Sequence, residues 1–211
     1  MPSRREYQDR PGWVADEAWN RGCIEAFELA RIAAWKSAIS VAGITVNTPR
    51  EIEACTRAAM SVIERWRGQK ATALVTDIDW ADWQSAANAA IGWVGKHREP
   101  SSGLLSLTGV GYPVATAILD ILDPNLWPVI DKWAAKTVFG IEIVQYTAAI
   151  YARYARHLAT EGTRHWGVGL SIHELDLRAQ SASMKGGSLP AGWRRADPSR
   201  PSSHLGGLSL P

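Results

Sequence analysis

The sequence predicts an all-α fold. Apolar residues recur at helical spacing along most of the chain, and helix-capping patterns stand at Thr48 and Ser171. No stretch alternates apolar and polar residues convincingly, Gly43 to Val46 being the best short strand candidate. The 211 residues fit one ordinary domain or two small lobes around a cleft. Apolar residues make up 46% of the chain, enough for a real core. Phe is scarce at 2 and Trp abundant at 11, so most indoles are assigned to the core and a few are left for a pocket.

The elements follow in order. Residues 1–14 read as a flexible N-terminus, and a helical domain occupies 15–183. Ala15 to Ala42 is rich in Ala, Glu and Arg, with Ile24, Phe27, Arg31 and Trp35 along one helical face; Arg31 would cover core with its stem and reach water with its head. The next helix has a sharp start, because Thr48 caps it, Pro49 takes the first helical position and Glu51 completes a capping box. Ile52, Cys55, Ala59, Val62, Ile63 and Trp66 then repeat at helical spacing.

A third helix begins near Asp79 or Asp82 and runs to about Lys96. Pro100 and Ser101 open a short fourth one that ends at Leu107. A helix over Tyr112 to Leu122 tolerates Pro113 in its first turn, and Asp123-Pro124-Asn125 ends the pattern as a turn. Asp131 to Phe139 and Val144 to Thr160 are helical again, and Ser171 with Glu174 forms a second capping box before a short last helix. From about Ser183 Gly, Ser, Pro and Arg dominate, and residues 184–211 are expected to be a disordered tail in which Arg194, Arg195 and Arg200 are weak candidates for phosphate contact.

Charge and cysteines bound the function. A net charge of +2 neither demands nor excludes nucleic acid, because binding depends on a local basic face. Cys23 and Cys55 offer neither a metal cluster nor a disulfide framework, which fits a reducing interior. Met1 to Gly12 is polar and charged, and no apolar run approaches the roughly 20 residues of a membrane span. The chain therefore reads as cytoplasmic, without a membrane partner. His157, His165 and His173 lack metal spacing and read as surface or capping residues.

The chemistry concentrates at Leu107-Thr108-Gly109-Val110-Gly111 and at Pro128-Val129-Ile130-Asp131. Two helices joined by a glycine turn (the hairpin, residues 100–122) present several backbone N–H groups in one direction. Gly109 and Gly111 permit positive φ and close approach of another backbone. The helix that begins at once adds its unsatisfied N–H groups and positive dipole end, so a phosphate fits there without Lys or Arg. The plainer reading is a helical corner in which the glycines only turn the chain. Asp131, just before the next helix, is either its N-cap or a carboxylate for bond cleavage, and the two roles are compatible.

These motifs resemble the helix–hairpin–helix DNA glycosylase superfamily. Its pattern is Leu-Pro-Gly-Val-Gly, a helix, and then Val-Asp-Thr-His with a basic residue soon after. Here Asp131 follows Gly111 by 20 residues, and the likeness covers roughly Pro100 to Gly140. It implies a two-lobed all-α fold, a monomer bound to double-stranded DNA, no cofactor or metal, and a nucleoid-associated location. It also implies that Asp131 stabilises the sugar cation as an N-glycosidic bond breaks. Thr108 stands where the family has Pro, and Lys132-Trp133 replaces Thr-His. The family's Schiff-base lysine falls at Pro113, so the resemblance implies a monofunctional enzyme or none. The alternative is a non-catalytic helix–hairpin–helix DNA-binding protein.

Around Asp131 the candidates divide by chemistry. Gly109, Val110 and Gly111 would hold a backbone phosphate, helped by Lys132 and Lys136, which share a helix face at i and i+4. Trp127 and Trp133 would wall a pocket for an extruded base, with core packing as the default. Asp120 and Asp123 are rival carboxylates, and Lys96, His97 and Arg98 form a small basic cluster before the hairpin.

Overall fold

The helix at the centre of the molecule, Tyr112–Leu122, buries every residue but Pro113. A helix apolar all round has no solvent face to offer, and other helices enclose it. The computed structural model describes residues 10–36, 38–67, 78–92, 103–167, 169–184 and 189–199. Their helices are α1 (Trp13–Arg21), α2 (Ala26–Lys36), α3 (Ala38–Ile44), α4 (Pro49–Glu64), α5 (Trp80–Ile91), the central α6 (Tyr112–Leu122), α7 (Lys132–Phe139), α8 (Ala148–His157), α9 (Thr163–Trp166) and α10 (Ile172–Met184). A single 3-10 turn, Leu104–Ser106, precedes α6, and a π-helical stretch, Leu158–Gly162, joins α8 to α9. No strand occurs among the described residues, so the all-α class holds.

α1, α2, α4 and α5 pack on α6. Two of its polar side chains, Thr116 and Asp120, are satisfied. Thr116 bonds the carbonyl of Tyr112, and Asp120 accepts from Arg10 Nε at 3.0 Å and pairs with His173 Nδ1 at 2.7 Å. Trp19 Nε1 donates to the Leu122 carbonyl at 2.9 Å and ties α1 to the far end of α6. α5 lies on α8, and α10 packs on α7 and on the π-helical stretch.

Caps explain several boundaries. Thr48 and Glu51 form the reciprocal capping box of α4. Ser171 and Glu174 make the same exchange before α10. Asp123 closes its turn by accepting from Asn125 N–H at 3.1 Å.

Other boundaries differ from the sequence reading. The helix expected over 15–42 is three helices. Gly22 takes the left-handed conformation (φ +79°) and ends α1, and Ile24 N–H then goes to the buried Thr56 hydroxyl. Phe27 is 56% exposed, not core, and stacks on exposed Trp13. Gly43 to Val46 is the end of α3 and a turn. The helix expected from Val144 starts only at Ala148, because Thr147 accepts from Ile150 N–H and caps it there. The described part of the fourth helix is one 3-10 turn. Its expected start, the later part of the third helix and the Lys96-His97-Arg98 cluster lie outside the described residues.

The tail expectation fails for 189–199. Trp193 packs against His157, His165 and Trp166. Ala196 N–H donates to the Val138 carbonyl at 3.1 Å, Arg194 N–H to Glu161, and Arg153 to the Pro198 carbonyl. Arg195 lies over Gly140, where an added Cβ would fall 2.4 Å from its guanidinium. This strap joins α7, α8 and α9, and it borders a cavity of about 480 Å³ beside Ser183. A polar, glycine-rich composition hides one large aromatic, and its packing, together with these hydrogen bonds, holds the segment on the helices.

Candidate DNA-facing site at the N-terminal end of α6

The glycine turn is built against α3. Asn47 holds it from both sides, accepting from Thr108 N–H at 2.8 Å and donating to the Thr108 carbonyl at 2.9 Å. Gly109 has φ +82°, and a Cβ there would lie 2.7 Å from backbone atoms of Ser40 and Ile44. The close approach that Gly109 allows is therefore to α3 of its own chain. Val110 is buried, and its N–H donates to the Leu107 carbonyl at 3.1 Å. The Val110 bond corrects the expectation that its N–H is offered to a phosphate, and at Gly109 the expected close approach of another backbone is taken up by α3. Gly111 is exposed with φ −87°, so positive φ is not its reason. The N–H groups of Gly111 and Tyr112 have no acceptor among the described residues, as the first N–H groups of a helix lack internal partners.

Asp131 is delivered to the same end of α6 by two hydroxyls. Thr116, one turn into the helix, accepts from Ile130 N–H at 3.2 Å. Tyr151 donates to the Pro128 carbonyl at 2.7 Å. Thus pinned, Asp131 N-caps α7, its Oδ1 accepting from Trp133 and Ala134 N–H at 2.9 Å each. Its Oδ2 accepts from Lys36 Nζ at 3.0 Å. The two side chains are 20% and 11% exposed, so the ion pair is shielded but not sealed. Oriented and held by a lysine, Asp131 is suited to face a developing cation or to align a water molecule.

Tyr146, on the loop between α7 and α8, completes the group. Its ring stacks on Tyr112 at 5.7 Å. Burial, with the charges of Asp131 and Glu142, pushes its phenol pKa up to about 12. Lys132, Trp133 and Lys136 stand exposed on the outer face of α7, with Lys132 Nζ 5.1 Å from the Trp133 ring centroid.

Trp127 is not a pocket wall. It is 0% exposed and stacks on Trp83 at 4.7 Å, deep in the core. Trp133, 39% exposed, remains available. The rival carboxylates belong to the opposite end of α6, about 12 Å along an eight-residue rise from Tyr112 to Asp120. Burial and its turn geometry occupy Asp123, whose pKa burial raises. The histidines read as surface residues are half-buried partners of other groups. Burial lowers the His173 pKa, but the hydrogen bond and charge of Asp120 outweigh it and leave the value raised.

Sequence reasoning missed Lys36, Tyr112 and Tyr146. Lys36 lies 95 positions from Asp131 with no local pattern to mark it. Tyr112 follows Gly111 directly, which was a usable signal. Among the described residues no group of three His, Cys, Asp or Glu could hold a metal ion, and no helix is long and apolar enough to cross a membrane. Comparison with family models, curated proteins and solved structures finds no match to the chain.

Proposed function

We propose that the protein is a monofunctional DNA N-glycosylase of the two-lobed helix–hairpin–helix type, removing a damaged, modified or mispaired base from duplex DNA. The observation that supports this reading best is the pinning of Asp131 at the glycine-turn end of α6, partly exposed and ion-paired with Lys36. A phosphate would meet the free N–H groups of Gly111 and Tyr112, with Lys132 and Lys136 adding charge nearby. With the base out of the stack, the C1′–N bond breaks and its electrons leave with the base. Asp131 faces the resulting sugar cation, and water adds to C1′ while giving up a proton toward the carboxylate.

The test is an excision screen over duplexes carrying different modified bases. Asp131→Asn keeps a cap acceptor and removes the charge. It should lower excision at least about 100-fold while DNA affinity stays near wild type. Excision at the wild-type rate by this variant would overturn the role of Asp131.

One observation favours the non-catalytic alternative. Both oxygens of Asp131 already have partners, Oδ1 in the cap and Oδ2 on Lys36. That reading expects duplex binding that depends on the turn and no abasic product from any substrate.

A further inference from the structure

The structure describes four tyrosines, and they divide into two kinds. Tyr151 donates to the Pro128 carbonyl, and Tyr154 donates to Asp176. Tyr112 and Tyr146, stacked at 5.7 Å with 26° between their planes, bury their hydroxyls with no partner among the described residues. A buried hydroxyl without a hydrogen bond destabilises the fold, and phenylalanine would fill the same space without that cost. Tyr146 of this pair lies near enough to Asp131 to feel its charge.

We infer that the Tyr112 and Tyr146 phenols form a subsite for the hydrogen-bonding edge of an extruded nucleobase, a reading that rests on the proposed glycosylase function. The chemistry of the surroundings selects this ligand class. Each phenol both donates and accepts, which suits the mixed donors and acceptors of a heteroaromatic edge. The nearby cation, Lys36, is neutralised by Asp131, so the subsite favours a neutral planar ring over a phosphate. Inward, Tyr112 meets Tyr151 edge-on, and Tyr151 meets Trp83, which stacks on Trp127; this tight aromatic packing marks the inner limit of the site. Tyr146 is the more exposed of the pair.

The test uses free adenine, guanine, cytosine, uracil, hypoxanthine and N-methylated adenine as probes of the full chain by isothermal titration calorimetry. At least one base should bind. Tyr146→Phe and Tyr112→Phe should each weaken that binding about tenfold, as expected for one lost hydrogen bond. Both variants should melt at the wild-type temperature or above it, an outcome that structural hydroxyls would not produce. The inference is overturned if no base binds, if both variants bind like wild type, or if both lose thermal stability. Tyrosine-dependent base binding without excision of any lesion would keep the subsite and remove the hydrolase. Excision with kcat and KM unchanged in Tyr146→Phe would keep the hydrolase and remove the subsite.

Discussion

Asp176 holds a proton that most aspartates lose. It is fully buried under Tyr154 and Gln180, and burial pushes its pKa up to about 7, against the two hydrogen bonds that pull it down. The folded value thus lies above the unfolded one. Between about pH 4 and pH 7 the folded state keeps a proton that the unfolded state gives up. This group's contribution to stability is complete below the unfolded pKa and is lost as pH rises through the folded one. Asp176→Asn offers Tyr154 and Gln180 the same acceptor without the charge. It should match wild type at pH 5 and melt at least about 3 °C higher at pH 8. Equal melting shifts at both pH values would contradict the buried-proton assignment. His157 runs the other way. Burial lowers its pKa to about 4, so its contribution is lost as pH falls from about 6.5 toward 4. His157→Gln should therefore reduce acid sensitivity in a melting series over that window.

At the scale of elements, the two hairpin glycines separate structure from recognition. Gly109→Ala forces a side chain into a left-handed backbone and into α3, and should cost about 2–4 kcal/mol of stability. At Gly111 a Cβ would meet only Pro113 Cδ at 3.8 Å, so Gly111→Ala should cost less than about 1 kcal/mol. If a DNA backbone comes close to this turn, the same Gly111 variant should lose duplex affinity while melting almost normally. Chemical denaturation and a binding titration on both variants check the pair. The strap is an element in its own right. Trp193→Ala removes a half-buried indole from the face of α8 and α9, and should destabilise the protein by about 2–3 kcal/mol. No change in denaturation midpoint would mean that the strap adds nothing to the fold.

On the scale of the whole molecule, a net charge of +2 makes overall attraction to DNA weak, and any phosphate binding must come from local groups. Salt dependence measures them. Each neutralised phosphate contributes a slope of about −0.9 in log K against log salt, so Lys132→Ala with Lys136→Ala should flatten the slope by about 2. An unchanged slope would assign both lysines to plain solvent contact.

What the amino-acid order determined by itself was mostly local. The capping boxes at Thr48 and Ser171, the bounds of α6, the Asp123 turn and the place of Asp131 at the head of α7 were all legible, because each depends on bonds spanning two to four residues. Tertiary packing decided the rest. It sank Trp127 beneath Trp83, turned Gly109 toward α3, set Tyr146 on Tyr112 and docked Trp193. It also brought Lys36 to Asp131 across 95 positions. A periodic pattern marks which face of a helix is apolar, but it carries no record of which distant face will cover it. That choice is made by shape and by the need to partner buried polar groups once the helices meet.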